Sequence, residues 1–590
     1  MKNFLKIIAG SFIGSLLAIL IGGFLMIGII SSIASLSSST KPTVPASAVL
    51  VMDFKLPITE QGEESPFSPD MLFSDAKLNL SSSSILNMLQ TLDRAAADPS
   101  IKFLYMNLNQ IQAGVTHIEE LRAAILKFRE SGKAVIAYAD NYSQGAYYLA
   151  TAADKVYINP YGSATLTGLS ISTMFFKDLL DRAGVEAQLI RHGKFKAAAE
   201  QFISNKMSEE NREQLKAYLD AVWNTWTTDI AASRSISKAK IDSITDNLVL
   251  TTAQKALDNK LVDGLLYKDE LSDTLAHLFG VETEKEVDYI NITAYSRATA
   301  KVNLKEKNKI AVIYANGEIL MGKSDNNITS DHYAALLADV RKDSTIKAVV
   351  FRVNSPGGSA QSADIIEREL KLLKKDKPVV VSFGDYAASG GYWISANADK
   401  IITNNTTLTG SIGVFSMALN IQKALNKHLS INTGTVNTNK HSDFMSGYRP
   451  LDKEEVAFMQ SAVEVIYTDF INLVAKGRGM TPEKVDSVAQ GRVWSGADAL
   501  KIGLADERGG ILSAIDAAAA MASLEGYRIV EYPVRKSQIE KLMESLSETE
   551  AAAKVLNNPY FLLEKAYSAL KKEKGVKTMA RIPYNLEFNL

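Results

Sequence analysis

Ile346-Lys-Ala-Val-Val-Phe-Arg-Val-Asn354 is written twice in this chain. Its earlier copy is Ile101-Lys-Phe-Leu-Tyr-Met-Asn-Leu-Asn109, and the offset is 346 − 101 = 245 residues. Gly145-Ala-Tyr-Tyr148 and Gly390-Gly-Tyr-Trp393 also stand 245 apart, as do Ala153-Asp-Lys155 and Ala398-Asp-Lys400. Leu166-Thr-Gly168 matches Leu408-Thr-Gly410 at 242. Ala256-Leu257 matches Ala499-Leu500, and Leu261-Val-Asp263 matches Leu504-Ala-Asp506, both at 243. Collinear matches of this kind mark an internal duplication.

Within the second copy, Ile310–Tyr314, Ala348–Val353 and Val379–Phe383 are short β-rich apolar runs and read as buried strands. Ala360–Lys374, rich in Leu, Ile, Glu and Lys, reads as the helix between the last two. This alternation predicts a mostly parallel sheet covered by helices, an α/β fold in each copy. Each copy, about 245 residues long, is large enough to bury its own core. Residues 46–300 form the first repeat and 301–537 the second, with a helix and tail over 538–590. Ser65–Ser84 is Ser- and Pro-rich and reads as an insertion in the first repeat. Gln538–Lys574 reads as helix and Arg581–Leu590 as extended tail.

The chain has 590 residues, 65 Lys+Arg and 66 Asp+Glu, a formal net charge of −1 that leaves no electrostatic footprint for nucleic acid. Hydrophobic residues at 46% and charged residues at 22% rule out wholesale disorder. With no cysteine, disulfides, thiolate metal sites and a Cys nucleophile are excluded. No two of the six histidines have HExxH spacing, so a zincin site is excluded too. Lys2 and Lys6, in a short cytoplasmic N-terminus (1–6), precede an apolar stretch. Its core, Ile7–Ile30, is 24 residues long, and at about 1.5 Å per residue it exceeds the roughly 30 Å of a hydrocarbon core. Residues 7–34 therefore read as an uncleaved transmembrane anchor in the lipid bilayer, the alternative being a long signal peptide cut near Ser31–Ser35. The positive-inside rule keeps the N-terminus cytoplasmic and exports the remainder.

The chemistry lies where the copies differ. Asn354 runs into Ser355-Pro-Gly-Gly-Ser359, a glycine turn that reads as a helix N-terminus with free backbone N–H groups, suited to an oxyanion hole. The next strand ends in Gly384-Asp-Tyr-Ala-Ala-Ser389-Gly-Gly-Tyr-Trp393, which presents a serine at a strand-to-helix junction, either as nucleophile or as an N-cap. A nucleophilic serine needs a base. His428, on an expected amphipathic helix Asn420–Leu429, and His441, between Lys440 and Ser442, are poor candidates. A lysine serves only if burial lowers its pKa from about 10.4 by roughly 3 units. Lys196, in Gly193-Lys-Phe-Lys-Ala-Ala-Ala-Glu200, has the apolar neighbours for that, at what reads as a helix start; Lys194 is its competitor. Aligning the copies sets Gln144 against Ser389, and Gly193–Lys196 against Asn439-Lys-His-Ser442. One copy then has the lysine and the other the serine, as expected if they share one composite site.

This pattern resembles the signal peptide peptidase A (protease IV) family in its long, 67K-type form. The likeness covers the anchor, the duplication and Phe195-Lys-Ala-Ala-Ala-Glu-Gln-Phe202. It extends to Asn354–Ser359, Ala388–Ser395, Thr407–Gly413 and Gly491-Arg-Val-Trp-Ser-Gly-Ala497. The resemblance implies tandem Clp-protease/crotonase-like domains and a serine/lysine-dyad protease with no cofactor and no metal. It implies Ser389 as nucleophile, Lys196 as general base, Ser411 as the serine that supports the lysine, and Gly358 and Gly390 as oxyanion donors. It further implies a homotetramer on the inner membrane, with its catalytic part on the periplasmic side and remnant signal peptides as substrates. Two other readings are a crotonase-type acyl-CoA enzyme and an inactive membrane scaffold.

Overall fold

Ile101–Asn107 and Ile346–Ser355 are both central strands, and they hold the same place in two sheets of the same order. The computed structural model describes residues 42–62, 82–300, 305–324 and 327–535, the isolated Gly14, and the backbone of 578–581. The first sheet runs Gly264–Leu265, Lys155–Ile158, Val135–Ala139, Ile101–Asn107, Ala48–Asp53, Tyr289–Asn291, every pair parallel. The second repeats that order with Glu507–Arg508, Lys400–Thr403, Val379–Ala388, Ile346–Ser355, Lys309–Asn316, Arg528–Tyr532, again parallel throughout. Beyond its first six residues, Val379–Ala388 also pairs with Leu408–Gly410, which carries the antiparallel Val493–Ser495.

The strands are longer than the apolar runs alone indicate. Lys309–Asn316 exceeds the expected Ile310–Tyr314, and Val379–Ala388 carries strand geometry up to the residue before Ser389. The helix Ala360–Leu373 falls where expected, with the Ser359 side chain accepting a hydrogen bond from the Ser362 amide as its cap. The glycine turn before it differs from expectation. Gly357–Ser359 is a strand rather than a turn, while the helix after it starts at Ala360 as expected. Asn420–Leu429 is likewise not an amphipathic α-helix: Asn420 closes the strand Val414–Asn420, and Ala424–His428 makes a single π-turn.

The cores are not kept separate. Ile310, Val312 and Tyr314 point into one cluster, and Ala311, Ile313 and Ala315 into another, the alternation of a strand buried on both faces. The first cluster also holds Leu50, Leu104 and Met106 of the first sheet with the helices Ile85–Ala97, Val115–Arg129 and Ile511–Met521. A parallel sheet needs cover on both faces, and on this face of the second sheet Ile511–Met521 of its own repeat is joined by Val115–Arg129 of the first.

A third sheet ties the repeats together. Glu186–His192 of the first repeat pairs antiparallel with Val414–Asn420 of the second over seven registered residues, Glu186 against Asn420 through His192 against Val414. Among the described residues no helix is long and apolar enough to cross a membrane. Apart from Gly14, the expected anchor lies outside them, as do the expected helix Gln538–Lys574 and most of Ser65–Ser84.

Candidate active site

The cross-repeat strand pair delivers Lys196 into the second repeat. Just past His192 the chain turns at Gly193, and the turn is pinned from several sides. The Phe195 amide donates to the Gln490 carbonyl at 3.0 Å, and Arg191 Nη1 donates to the Lys196 carbonyl at 2.8 Å. Buried Gln214 spans two elements: its Nε2 donates to the Phe195 carbonyl at 3.0 Å, and its Oε1 accepts from the Val493 amide at 3.0 Å. Lys196 itself lies in this turn rather than in a helix, since the next helix begins at Glu200.

Ser389 sits where Val379–Ala388 ends and the short helix Gly390–Trp393 begins. Its backbone is at φ 57°, ψ −117°, and its side chain makes no cap hydrogen bond. Such a conformation costs of order 1–3 kcal/mol and persists only where surrounding structure imposes it. Here the Ser389 amide is held by the Gly410 carbonyl at 2.8 Å. The N-cap alternative fails because the hydroxyl is turned to the lysine.

Lys196 Nζ donates to Ser389 Oγ at 2.7 Å, to the Ser411 carbonyl at 2.9 Å and to Ser411 Oγ at 3.1 Å. All three residues are buried, Lys196 and Ser411 at 1% exposure and Ser389 at 0%. Burial pushes the Lys196 amine well below the ordinary lysine range. A neutral amine has a lone pair, and at hydrogen-bond distance from a hydroxyl it can take the hydroxyl's proton. Lys194 is exposed, with its ammonium 5.0 Å from the centre of the Phe195 ring, and does not reach this cluster.

The approach of the lysine is possible because Gly491 backs it. A Cβ on Gly491, at φ +77°, would stand 2.6 Å from Lys196 Cβ. Gly358 lies in its strand so close to Ile319 that a Cβ would meet the Ile319 carbonyl oxygen at 2.0 Å. Gly390 is buried at the first position of the helix after Ser389. Sequence reading assigned no role to Gln214 or Gly491. For Gly491 a signal was present in the Gly491–Ala497 stretch; for Gln214, inside the long helix Glu209–Arg234, there was none.

The other candidates stand elsewhere. His428 is exposed on the π-turn. His441 reaches Glu455 at 3.1 Å and Glu454 at 3.2 Å on a solvated turn that includes Asn439–Ser442. His441, Asp452 and Glu455 bring donor atoms within 4.8 Å of one another, but Arg449 already holds both Glu455 oxygens at 2.6 and 2.7 Å. In the first repeat, Gln144 opens the helix that follows the corresponding strand. Its Oε1 accepts from the Thr167 and Gly168 amides at 2.8 Å each, and its Nε2 donates to the Gly168 carbonyl at 2.9 Å. The amide thus fills the space that a second nucleophile would need.

Comparison with known proteins bears on both repeats. The profile of peptidase family S49 matches residues 127–282 and again 371–525, offsets of 371 − 127 = 244 and 525 − 282 = 243. Protease 4 of Haemophilus influenzae is 34% identical over 520 residues, 85% of this chain and 84% of its own length. Protease 4 of Salmonella typhi is 35% identical over 487 residues, 81% and 78% respectively. The chloroplastic serine protease SPPA of Arabidopsis thaliana is 31% identical over 450 residues, 75% and 66%. Among solved structures, a ClpP1 mutant of Listeria monocytogenes covers 35% of this chain and 94% of its own at 15% identity, with a TM-score of 0.24.

Proposed function

The chain belongs to peptidase family S49 and is a serine protease, and from that premise we propose that Ser389 is its nucleophile and Lys196 its general base, each from a different repeat. The observation that carries the proposal is the 2.7 Å contact between Lys196 Nζ and Ser389 Oγ in a buried site without a histidine partner. Neutral Lys196 removes the Ser389 proton as Oγ attacks the scissile carbonyl. The backbone N–H groups of Gly358 and Gly390 receive the oxyanion. The new ammonium then protonates the leaving amine, and water, activated by the same lysine, releases the acyl group. Ser411 holds Nζ on line through its carbonyl and hydroxyl.

Peptides are the substrates of this family's chemistry. We assign extended hydrophobic peptides, including the remnants of cleaved signal peptides, to this chain. Its anchor over 7–34 sets the enzyme on the inner membrane facing the periplasm, where such remnants arise, and a homotetramer is the expected assembly. Lys2 and Lys6 before the apolar run, with Lys41 alone closely after it, support that orientation.

Hydrolysis of a fluorogenic Leu- or Ala-rich peptide by the full chain in detergent tests the assignment. Ser389→Ala and Lys196→Ala are expected to be inactive and Lys194→Ala active. A Ser389→Ala enzyme that cleaves at the wild-type rate overturns it. A folded wild-type chain that cleaves nothing favours a scaffold.

A further inference from the structure

Glu200 is a buried carboxylate for which the proposed chemistry has no use. It closes Phe195-Lys-Ala-Ala-Ala-Glu200, the segment that carries the lysine. Its Oε1 accepts from the Ser208 amide at 2.8 Å, and its Oε2 accepts from Asn211 Nδ2 at 2.7 Å. Both donors are neutral, and among the described residues no cation pairs with it. Burying a carboxylate without a cation is costly, so its place in the fold calls for a reason. Asn211 stands three residues before Gln214 on the helix Glu209–Arg234, so their side chains share a face. Asn211 Oδ1 accepts from Gln214 Nε2 at 3.1 Å. The same Nε2 donates to the Phe195 carbonyl, while Gln214 Oε1 accepts from the Val493 amide. The bonds close a circuit. It runs from Phe195 through Lys196 to Glu200, then across Asn211 and Gln214 back to Phe195. Val493 joins it to the serine side, since Val493 faces Gly410, whose carbonyl holds the Ser389 amide.

We propose that Glu200 is a positioning residue for Lys196, because it sets the direction of the Asn211–Gln214 relay that holds the lysine turn. The inference rests on the serine–lysine reading above. A carboxylate only accepts, whereas an Asn or Gln side chain donates at one end and accepts at the other. Glu200 therefore draws the Asn211 NH2 toward itself and leaves the Asn211 oxygen facing Gln214. Gln214 must then present its NH2, and that group reaches the Phe195 carbonyl beside Lys196. With Asn211 reversed, two NH2 groups would meet and drive Gln214 off that carbonyl. Asn211 and Gln214 are each 1% exposed, so a misdirected amide there is left unpaired. Glu200 takes no proton in the reaction; it acts through the main chain on either side of the lysine.

Two isosteric substitutions test this in the full chain purified in detergent, by steady-state hydrolysis of a fluorogenic peptide beside thermal melts. Glu200→Gln replaces one acceptor by a donor, so Ser208 or Asn211 meets a donor. Its kcat is expected to fall about tenfold, the order of one lost hydrogen bond, with KM unchanged. Adding Asn211→Asp moves the carboxylate one place along the relay. The amide at position 200 then accepts from Ser208 and donates to position 211, where both oxygens accept. Every bond of the circuit is redrawn with Gln214 unreversed, and the double variant is expected to regain the wild-type kcat. A Glu200→Gln enzyme with wild-type kcat overturns the inference even if its Tm is lower, since the carboxylate then serves stability alone. A loss carried by KM alone overturns it too. So does a double variant that is no faster than Glu200→Gln or does not fold. If Glu200→Gln by itself does not fold, the double variant decides by the same kcat. These failures leave the serine–lysine reading standing. A wild type that hydrolyses no peptide fails that reading, and this inference with it.

Discussion

A buried ammonium is costly, and burial pushes the Lys196 amine well below the ordinary lysine range. The sign of the linkage follows. Between its lowered folded pKa and 10.5, the unfolded chain binds a proton that the folded chain does not, so stability rises with pH across that window. Lys196→Met keeps the apolar stem and removes this burden. Its turnover is expected to fall by about 10³-fold or more. Its Tm should match or exceed that of wild type, with the largest gain at acid pH. A Lys196→Met enzyme that melts below wild type in acid would sink the argument. In wild type, kcat/KM should rise with pH through the lowered pKa, since only the unprotonated amine can act as base. Ser411→Ala removes one of three hydrogen bonds to Nζ, and kcat is expected to fall about tenfold, the worth of roughly 1–1.5 kcal/mol. The serine and lysine were legible because their rivals were few: no cysteine, and as histidine bases only His428 and His441, both in polar stretches of the second repeat. Gln214 was not, because its role depends on partners at Phe195 and Val493, which local pattern does not show.

At the scale of elements, the Lys196 turn is clamped between Gln490–Gly491 and the Gln214 side chain. Gly491→Ala would drive a Cβ to 2.6 Å from Lys196 Cβ and strain a backbone at φ +77°. Gln214→Leu would orphan a buried carbonyl and a buried amide, at about 1–3 kcal/mol each. Both variants are expected to fold with a reduced Tm and to lose kcat more than KM, measured by steady-state kinetics beside thermal melts. Unchanged kcat in Gly491→Ala would show that the lysine does not need this backing. The central strands were legible as elements because parallel strands buried on both faces are written as continuous apolar runs. The third sheet was not. Glu186–His192 and Val414–Asn420 lie 414 − 192 = 222 residues apart at their nearest ends, and the first is mostly half-buried, so neither a hairpin signal nor a clean alternation announces the pair. The glycine turn was misread for a related reason: Gly357–Ser359 pairs with short, distant segments, and the helix after it dominates the local pattern.

At the scale of the whole molecule, the repeats are also joined by buried charge. Arg352 of the second repeat, fully buried, donates Nε to Glu60 Oε2 at 2.8 Å, and its Nη2 lies 2.8 Å from Glu120 Oε1; both carboxylates belong to the first repeat. Burial alone would raise the Glu60 pKa, but Arg352 and then His117 outweigh it and hold it at about 2. Glu60 therefore stabilises the fold above its unfolded value of 4.5, and that contribution is lost as pH falls toward about 2. Burial pulls His117 down, but Glu60 more than offsets this and raises it above 6.5. Its contribution is present below 6.5 and lost as pH rises through the raised value. Arg352→Met takes the guanidinium from two buried carboxylates, leaving Glu60 with His117 and Glu120 with the Asn404 side chain and the Ile511 amide, and a loss of about 3–5 kcal/mol is expected in urea denaturation at neutral pH. The deficit should shrink in acid, where Glu60 can take up a proton; a deficit that is constant with pH would show that packing, not charge, is what was lost. The duplication was legible from matched markers, but the shared core was not, because a sequence repeat does not say which faces meet.

One further consequence follows from the lysine and the serine lying on different repeats. Translation delivers Lys196 first, and Ser389 only 389 − 196 = 193 residues later. At about 5–20 residues per second that is a delay of roughly 10–40 s. Throughout it Lys196 lacks Ser389, Ser411 and Gly491, the second-repeat groups that enclose it. On the assignment proposed above, the pair is complete only once the second half has been made and has closed on the first.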